Sequence, residues 1–146
     1  MKNILSFLLA AILLSACNFN APQESAEKPN DGIFIHITHD HSHPHRVLMP
    51  LSMAAMMANE KDVLIYLDID AVKLVTKDAA DIEYAHFASL KSSLTKLIEM
   101  NVGIYACPGC MKAAGISPDD LIEGVQVAQK DKFFNFTQGR ILSLNY

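Results

Sequence analysis

Two groups of side chains in this sequence have the types and spacing to do chemistry. The first is the pair Cys107 and Cys110, in Ala106-Cys107-Pro108-Gly109-Cys110-Met111-Lys112-Ala113-Ala114-Gly115. Pro108 suits the first position of a helix, and the residues after it favour one that ends at Gly115. That places Cys107 at a helix N-terminus, where the positive end of the dipole populates the nucleophilic thiolate. Cys110 falls about one turn further in and reads as the resolving thiol. Outside the cytoplasm such a pair can be oxidised, loaded with sulfur or metallated. A plain structural disulfide is the competing reading, but so short a loop would constrain little of the chain.

The second group is His36, His39, His41, His43 and His45, five of the six histidines. In an extended loop, His39, His41, His43 and His45 point the same way, as a zinc, copper or nickel site needs. Two of them with Cys107 and Cys110 would complete four ligands for zinc or copper. The blander reading is a solvated polar loop, with His36 a satisfied core residue in its strand. Met49, Met53, Met56 and Met57 add a Cu(I) option beside the imidazoles, against the commoner use of methionine as core filler.

The elements that must position these groups alternate. Ile33-Phe34-Ile35-His36-Ile37-Thr38 and Asp62 to Leu67 are short apolar runs suited to strands covered on both faces. Val72 to Val75 reads as a further short strand. Between the first two lies an apolar stretch from Arg46 to Ala58. Pro50 implies a helix that begins near Met49 or one that is kinked. Phe87, Leu90, Leu94, Leu97 and Ile98 recur at helical spacing, with Asn101 a suitable left-handed residue beyond the end. Val102 to Ala106 is the strand that leads into Cys107. Ser117-Pro118-Asp119-Asp120 has the chemistry of a helix start, and Val125 to Val127 and Ile141 to Leu144 are the last strands. The pattern predicts an α/β domain with a mostly parallel sheet and helices on both faces. Working residues then gather at the carboxyl ends of the strands. The His-rich loop and Cys107 are expected at that one edge, close enough for an imidazole to approach the sulfur if their strands are neighbours.

The N-terminus serves a different purpose. Residues 1–16 read as a lipoprotein signal peptide: Met1-Lys2-Asn3, an apolar run from Ile4 to Leu14, and small residues before Cys17. The run is too short to span a bilayer permanently, which needs about 20 residues. Leu14-Ser15-Ala16-Cys17 is a lipobox, so Cys17 is the expected lipidation site and the protein is expected in the cell envelope, anchored by its acyl chains. Residues 17–31, polar and proline-containing, read as a flexible tether. Residues 32–146 form the single remaining domain. The chain carries a net charge of −4, which gives no footing for a nucleic-acid partner.

The segment Asn101-Val102-Gly103-Ile104-Tyr105-Ala106-Cys107-Pro108-Gly109-Cys110-Met111-Lys112-Ala113-Ala114-Gly115-Ile116 resembles the cysteine-bearing segment of the DsrE/DsrF-like family. Asp120 to Val125, Thr38-His39 and His45 to Met49 are similar too, so the resemblance covers most of Gly32 to Tyr146. It implies a three-layer α/β/α fold, homo-oligomers such as trimers or hexamers, and sulfur relay through a cysteine persulfide, with a thiol or sulfur-donor protein as partner. Cys107 occupies the place of the relay cysteine, after a strand and just before a helix. Cys110 has no fixed counterpart in the relay branch, whose best-understood members are cytoplasmic.

Overall fold

Five of the strand segments read from the sequence assemble into one sheet in the computed structural model, which describes residues 28–146. They are β1 (Gly32–Ile37), β2 (Asp62–Leu67), β3 (Gly103–Ala106), β4 (Val125–Val127) and β5 (Ile141–Asn145). All four pairings are parallel and the order is β4-β3-β2-β1-β5. The signal, Cys17 and most of the tether lie outside the described residues. No described helix is long and apolar enough to cross a membrane.

Strand residues alternate between two faces, and the register fixes which share one. Ile33, Ile35, Ile37, Val63, Ile65, Leu67, Ile104 and Ala106 form the buried face and belong to the main core. Helix α1 (Pro44–Met57) covers this face with Val47, Leu48, Leu51 and Ala54, and α2 (Leu90–Glu99) with Leu90, Leu94 and Leu97. Fully burying each leucine is worth about 1.5–3 kcal/mol relative to leaving it exposed. On the other face, Phe34 and Tyr66 meet Phe133 of the short helix α4 (Lys130–Phe134) edge-on, at ring separations of 5.2 and 4.8 Å. The sheet is thus flanked by helices, with one heavily covered face and one lightly covered face.

Three local expectations need correction. Val72 to Val75 is not a strand but part of a 3-10 helix, Ala71–Val75, in which Ala71, Val72, Leu74 and Val75 are all buried. A strand would have sent alternate residues outward, whereas these close turns bring four of five inward. Helix α1 does not begin at Met49. It starts at Pro44 and runs through Pro50, which is buried. The hydrogen bond that Pro50 cannot donate costs up to about 3 kcal/mol, against which stands the burial of its ring. Finally, Ser117 to Asp120 opens only a single turn. Asp120 Oδ2 accepts from the Ser117 amide at 2.7 Å and from its hydroxyl at 2.6 Å.

Candidate functional site

Cys107 is the N-cap of α3 (Pro108–Ala114), reached directly from β3. Its amide donates to Leu67 O at 2.9 Å, so the β2–β3 pairing holds the residue one step past the strand end. Proline at the first helical position and Gly115, at φ +72°, bound the helix as expected. The Cys107 sulfur accepts from the Cys110 amide at 3.5 Å, and the Cys110 sulfur from the Ile69 amide at 3.1 Å. Both cysteines are half-buried free thiols.

Tyr66 completes the setting. Its hydroxyl favours the anionic form of the neighbouring Cys107 sulfur. Partial burial pushes the Cys107 thiol up, but the Tyr66 hydroxyl and the Cys110 and Gly109 amides outweigh it, and the thiol lies below its ordinary value. Cys110 goes the other way. Burial and then its hydrogen bond with Cys107 raise it, against the opposing Ile69 amide. Tyr66 is itself pushed well up, by burial first and then by Cys107, so it stays protonated and able to donate. The pair is therefore unequal. Cys107 is the thiol whose anion is favoured.

Beyond Tyr66 the polar row continues. His36 pairs with Tyr66 in register, their rings 5.6 Å apart. Its Nδ1 lies 3.2 Å from Asn145 Oδ1 and its Nε2 2.9 Å from Asp68 Oδ2. The Nε2 contact is close but not aligned as a hydrogen bond, leaving Nε2 and Asp68 Oδ1 otherwise unpartnered. His36 sits on the face opposite the main core with Nε2 lacking an aligned partner, so it is not the satisfied core residue of the blander reading. Ile69, just after Asp68, adopts φ +49° with its side chain 60% exposed. A β-branched residue is strained there, by about 1–2 kcal/mol. The strained turn aims the Ile69 amide at Cys110.

The sequence did not single out Tyr66, Asp68 or Ile69. The register of β2 against β3, which places Tyr66 in line with Tyr105 and Leu67 with Ala106, is the signal that finds them. One shallow groove beside the thiols is lined by Tyr66, Pro108, Ala128, Gln129, Lys130 and Phe133. Another is lined by Ile69, Asp70, Lys73, Cys110, Ala113 and Ala114. A further cleft between Ala58, Asp62, Met100 and Gly103 lies at the opposite, amino-terminal edge of the strands.

The four loop imidazoles do not converge. Asp40 to His43 forms a turn and His45 is already in α1, so the extended loop that would have aligned them is not formed. His41 Nε2 donates to Ala80 O at 2.8 Å. His45 stacks on Tyr84 and packs against Phe87, each at 5.5 Å. His39 and His43 meet each other, ring centres 4.7 Å apart. The loop and Cys107 do emerge at the same edge, but β2 separates β1 from β3, about 10 Å by two strand spacings. None of the four imidazoles hydrogen-bonds to the Cys107 sulfur. Among the described residues no three or more His, Cys, Asp or Glu are grouped to hold a metal ion, so the four-ligand Cys–His arrangement is not formed. Of the methionines, Met57 lies against the core, Met53 Sδ accepts from the Tyr146 hydroxyl at 3.3 Å, and Met56 is exposed.

Solved structures share this architecture. The ychN protein of E. coli superposes with a TM-score of 0.56 at 19% identity, over 78% of this chain and 99% of that one. The protein of unknown function MTH1491 from Methanobacterium thermoautotrophicum gives 0.53 at 22% identity, over 79% and 99%. The conserved protein BT1422 from Bacteroides thetaiotaomicron gives 0.53 at 22%, over 78% and 95%. At these identities the likeness is one of fold. In sequence, the uncharacterized protein MK0008 of Methanopyrus kandleri is 32% identical over 87 residues, 60% of this chain and 69% of that protein. The profile of the DsrE/DsrF-like family matches residues 31–139, which takes in the whole parallel sheet up to β4, the His-rich loop and both cysteines. The chain belongs to the DsrE/DsrF-like family.

Proposed function

We propose that this protein is a lipid-anchored member of the family that carries sulfane sulfur as a persulfide on Cys107, in the cell envelope and as a homo-oligomer, a trimer or hexamer. The observation that supports it is the inequality of the two thiols. Tyr66 and two backbone amides favour the Cys107 anion, while Cys110 is held toward its neutral form. In the loading step the Cys107 thiolate attacks the terminal sulfur of a donor persulfide. A new S–S bond forms on Cys107, the donor's S–S bond breaks, and the donor leaves as a thiolate that takes up a proton. No net oxidation occurs. In the second step an acceptor thiolate takes the terminal sulfur. Alternatively Cys110, once deprotonated, attacks the Cys107 sulfur, which releases hydrosulfide and leaves a Cys107–Cys110 disulfide for an external thiol to reduce. Lys130, lining the groove beside Tyr66 and Pro108, gives an anionic persulfide a cationic approach.

The test is the intact mass of the protein purified anaerobically and exposed to a low-molecular-weight persulfide. An added mass of about 32 Da, one sulfur atom, that maps to Cys107 is the expected result. A loss of about 2 Da marks the disulfide of the second step. An adduct that persists undiminished in Cys107→Ser, or none in the native protein, refutes the assignment.

A further inference from the structure

Hydrogen bonds in the loop after β1 fix the protons of three imidazoles. Thr38 Oγ1 gives its single proton to the Tyr146 backbone oxygen at 3.1 Å. Toward His39 Nδ1, 3.0 Å away, it can therefore only accept. His39 Nδ1 carries the proton and Nε2 the lone pair. Ser42 repeats the arrangement. Its hydroxyl proton goes to Asp40 Oδ1 at 2.7 Å, which also accepts from the Ser42 amide at 3.0 Å. Ser42 Oγ must then accept from His43 Nδ1, at 2.9 Å. His41 is the opposite case, since Nε2 is the atom that donates, to Ala80 O.

An imidazole whose Nδ1–H is tied to an oxygen acceptor, with Nε2 bare, is in the form that binds metal. The His39 and His43 ring centres are 4.7 Å apart. At a Zn–N distance of about 2.0–2.1 Å each ring centre would stand about 3.2 Å from a shared ion, and this separation would subtend about 95° there. That is close to the angle between neighbouring ligands in a tetrahedral or octahedral shell.

We propose that His39 and His43 form a two-imidazole site for a borderline divalent cation such as Zn²⁺, with Thr38 and Ser42 setting their tautomers. No third His, Cys, Asp or Glu joins them among the described residues. The other coordination positions fall to water or to a molecule that the ion binds. The site stands apart from Cys107 and does not depend on its chemistry.

The test uses the full chain and Zn²⁺ alone, which is redox-inert toward the thiols, with long-range ¹H–¹⁵N spectra of the imidazoles. Before metal, His39 and His43 should show the Nδ1–H pattern and His41 the Nε2–H pattern. Zn²⁺ should shift Nε2 of His39 and His43 together and saturably. Either His39→Ala or His43→Ala should abolish this, and His41→Ala should retain it. Thr38→Val, which leaves both ligands in place, should weaken binding roughly 10- to 100-fold. Nε2–H tautomers at both residues in the native protein would overturn the proposal, whatever the variants do. So would zinc binding that survives in His39→Ala and disappears in Cys107→Ser, which would put the ion on the cysteines.

Discussion

Replacing Tyr66 by Phe removes one hydroxyl and leaves the ring between Phe34, His36 and Phe133. The hydroxyl favours a sulfur that is an anion when reactive, and a hydrogen bond to a charged group contributes about 1.5–3 kcal/mol net. Cys107 is only half buried, so water competes for the sulfur and the lower end applies. At 1.36 kcal/mol per pKa unit, about 1.5 kcal/mol raises the Cys107 thiol by roughly one unit. The assay is the rate of alkylation of the reduced protein across a pH series, read residue by residue by mass spectrometry. The Cys107 profile should move to higher pH by about that amount, with the Cys110 profile moving far less. Stability gives a second reading. A thiol whose folded pKa is depressed adds stability that is present above the unfolded value and is lost as pH falls through the folded one. In Tyr66→Phe that rise with pH should shrink. An unchanged Cys107 profile would mean that the hydroxyl does not support the thiolate, and the backbone amides would have to account for the lowered pKa alone.

Cys17→Ser should release the protein from membranes or block its processing, as the lipobox before Cys17 implies, and normal processing with membrane retention would refute the lipid anchor. Ile69→Gly relieves a strained φ while giving up a largely exposed side chain, so the unfolding free energy measured by denaturation should rise by a net ~0.5–1 kcal/mol after the entropy cost of glycine. A fall would show that the Ile69 side chain is held by contacts that outweigh the strain. The Asp31 carboxyl is lowered to about 2 by hydrogen bonds from Arg140. Arg140→Ala should return its NMR titration toward 3.8, and the stability the pair contributes should be present above that pH and lost as pH falls through about 2.

The cysteine site was legible in the sequence because its determinants are local. Val102 to Ala106, Cys107, Pro108 and Gly115 each state their own geometry, and Asn101 does take the left-handed conformation beyond α2, at φ +58°. Tyr66 was not legible, because nothing within β2 says that β3 lies beside it in a register that brings Tyr66 against Cys107. The common direction expected of the four histidines was lost for a related reason. Alternation in sequence implies a common direction only in extended chain, and here a turn at Asp40–Ser42 and a helix start at Pro44 intervene. The strand order was equally hidden, since the alternating pattern does not say that β2 comes between the loop after β1 and Cys107. Ala71 to Val75 was misread because a short apolar run fits a buried strand and a buried helical turn alike.

Strand β5 sets the order in which this molecule can close. Ile35 pairs with Ile65 on one side and with Leu144 on the other. Loop-closure entropy grows with the logarithm of separation, so the second pairing costs about 1 kcal/mol more than the first. Ile141 and Leu142 are more than half exposed, so β5 recovers little of that by burial. Folding is thus expected to build β1, β2 and β3 first and add β5 last, and native-state opening should begin by releasing it. The bonds that join Thr38 and His36 to Tyr146 would break in that opening, freeing the Thr38 hydroxyl and with it the His39 tautomer. Amide exchange at Tyr146 and Thr38 should therefore report on the same event that disarms His39, while the amide of Cys107, held by Leu67, exchanges more slowly.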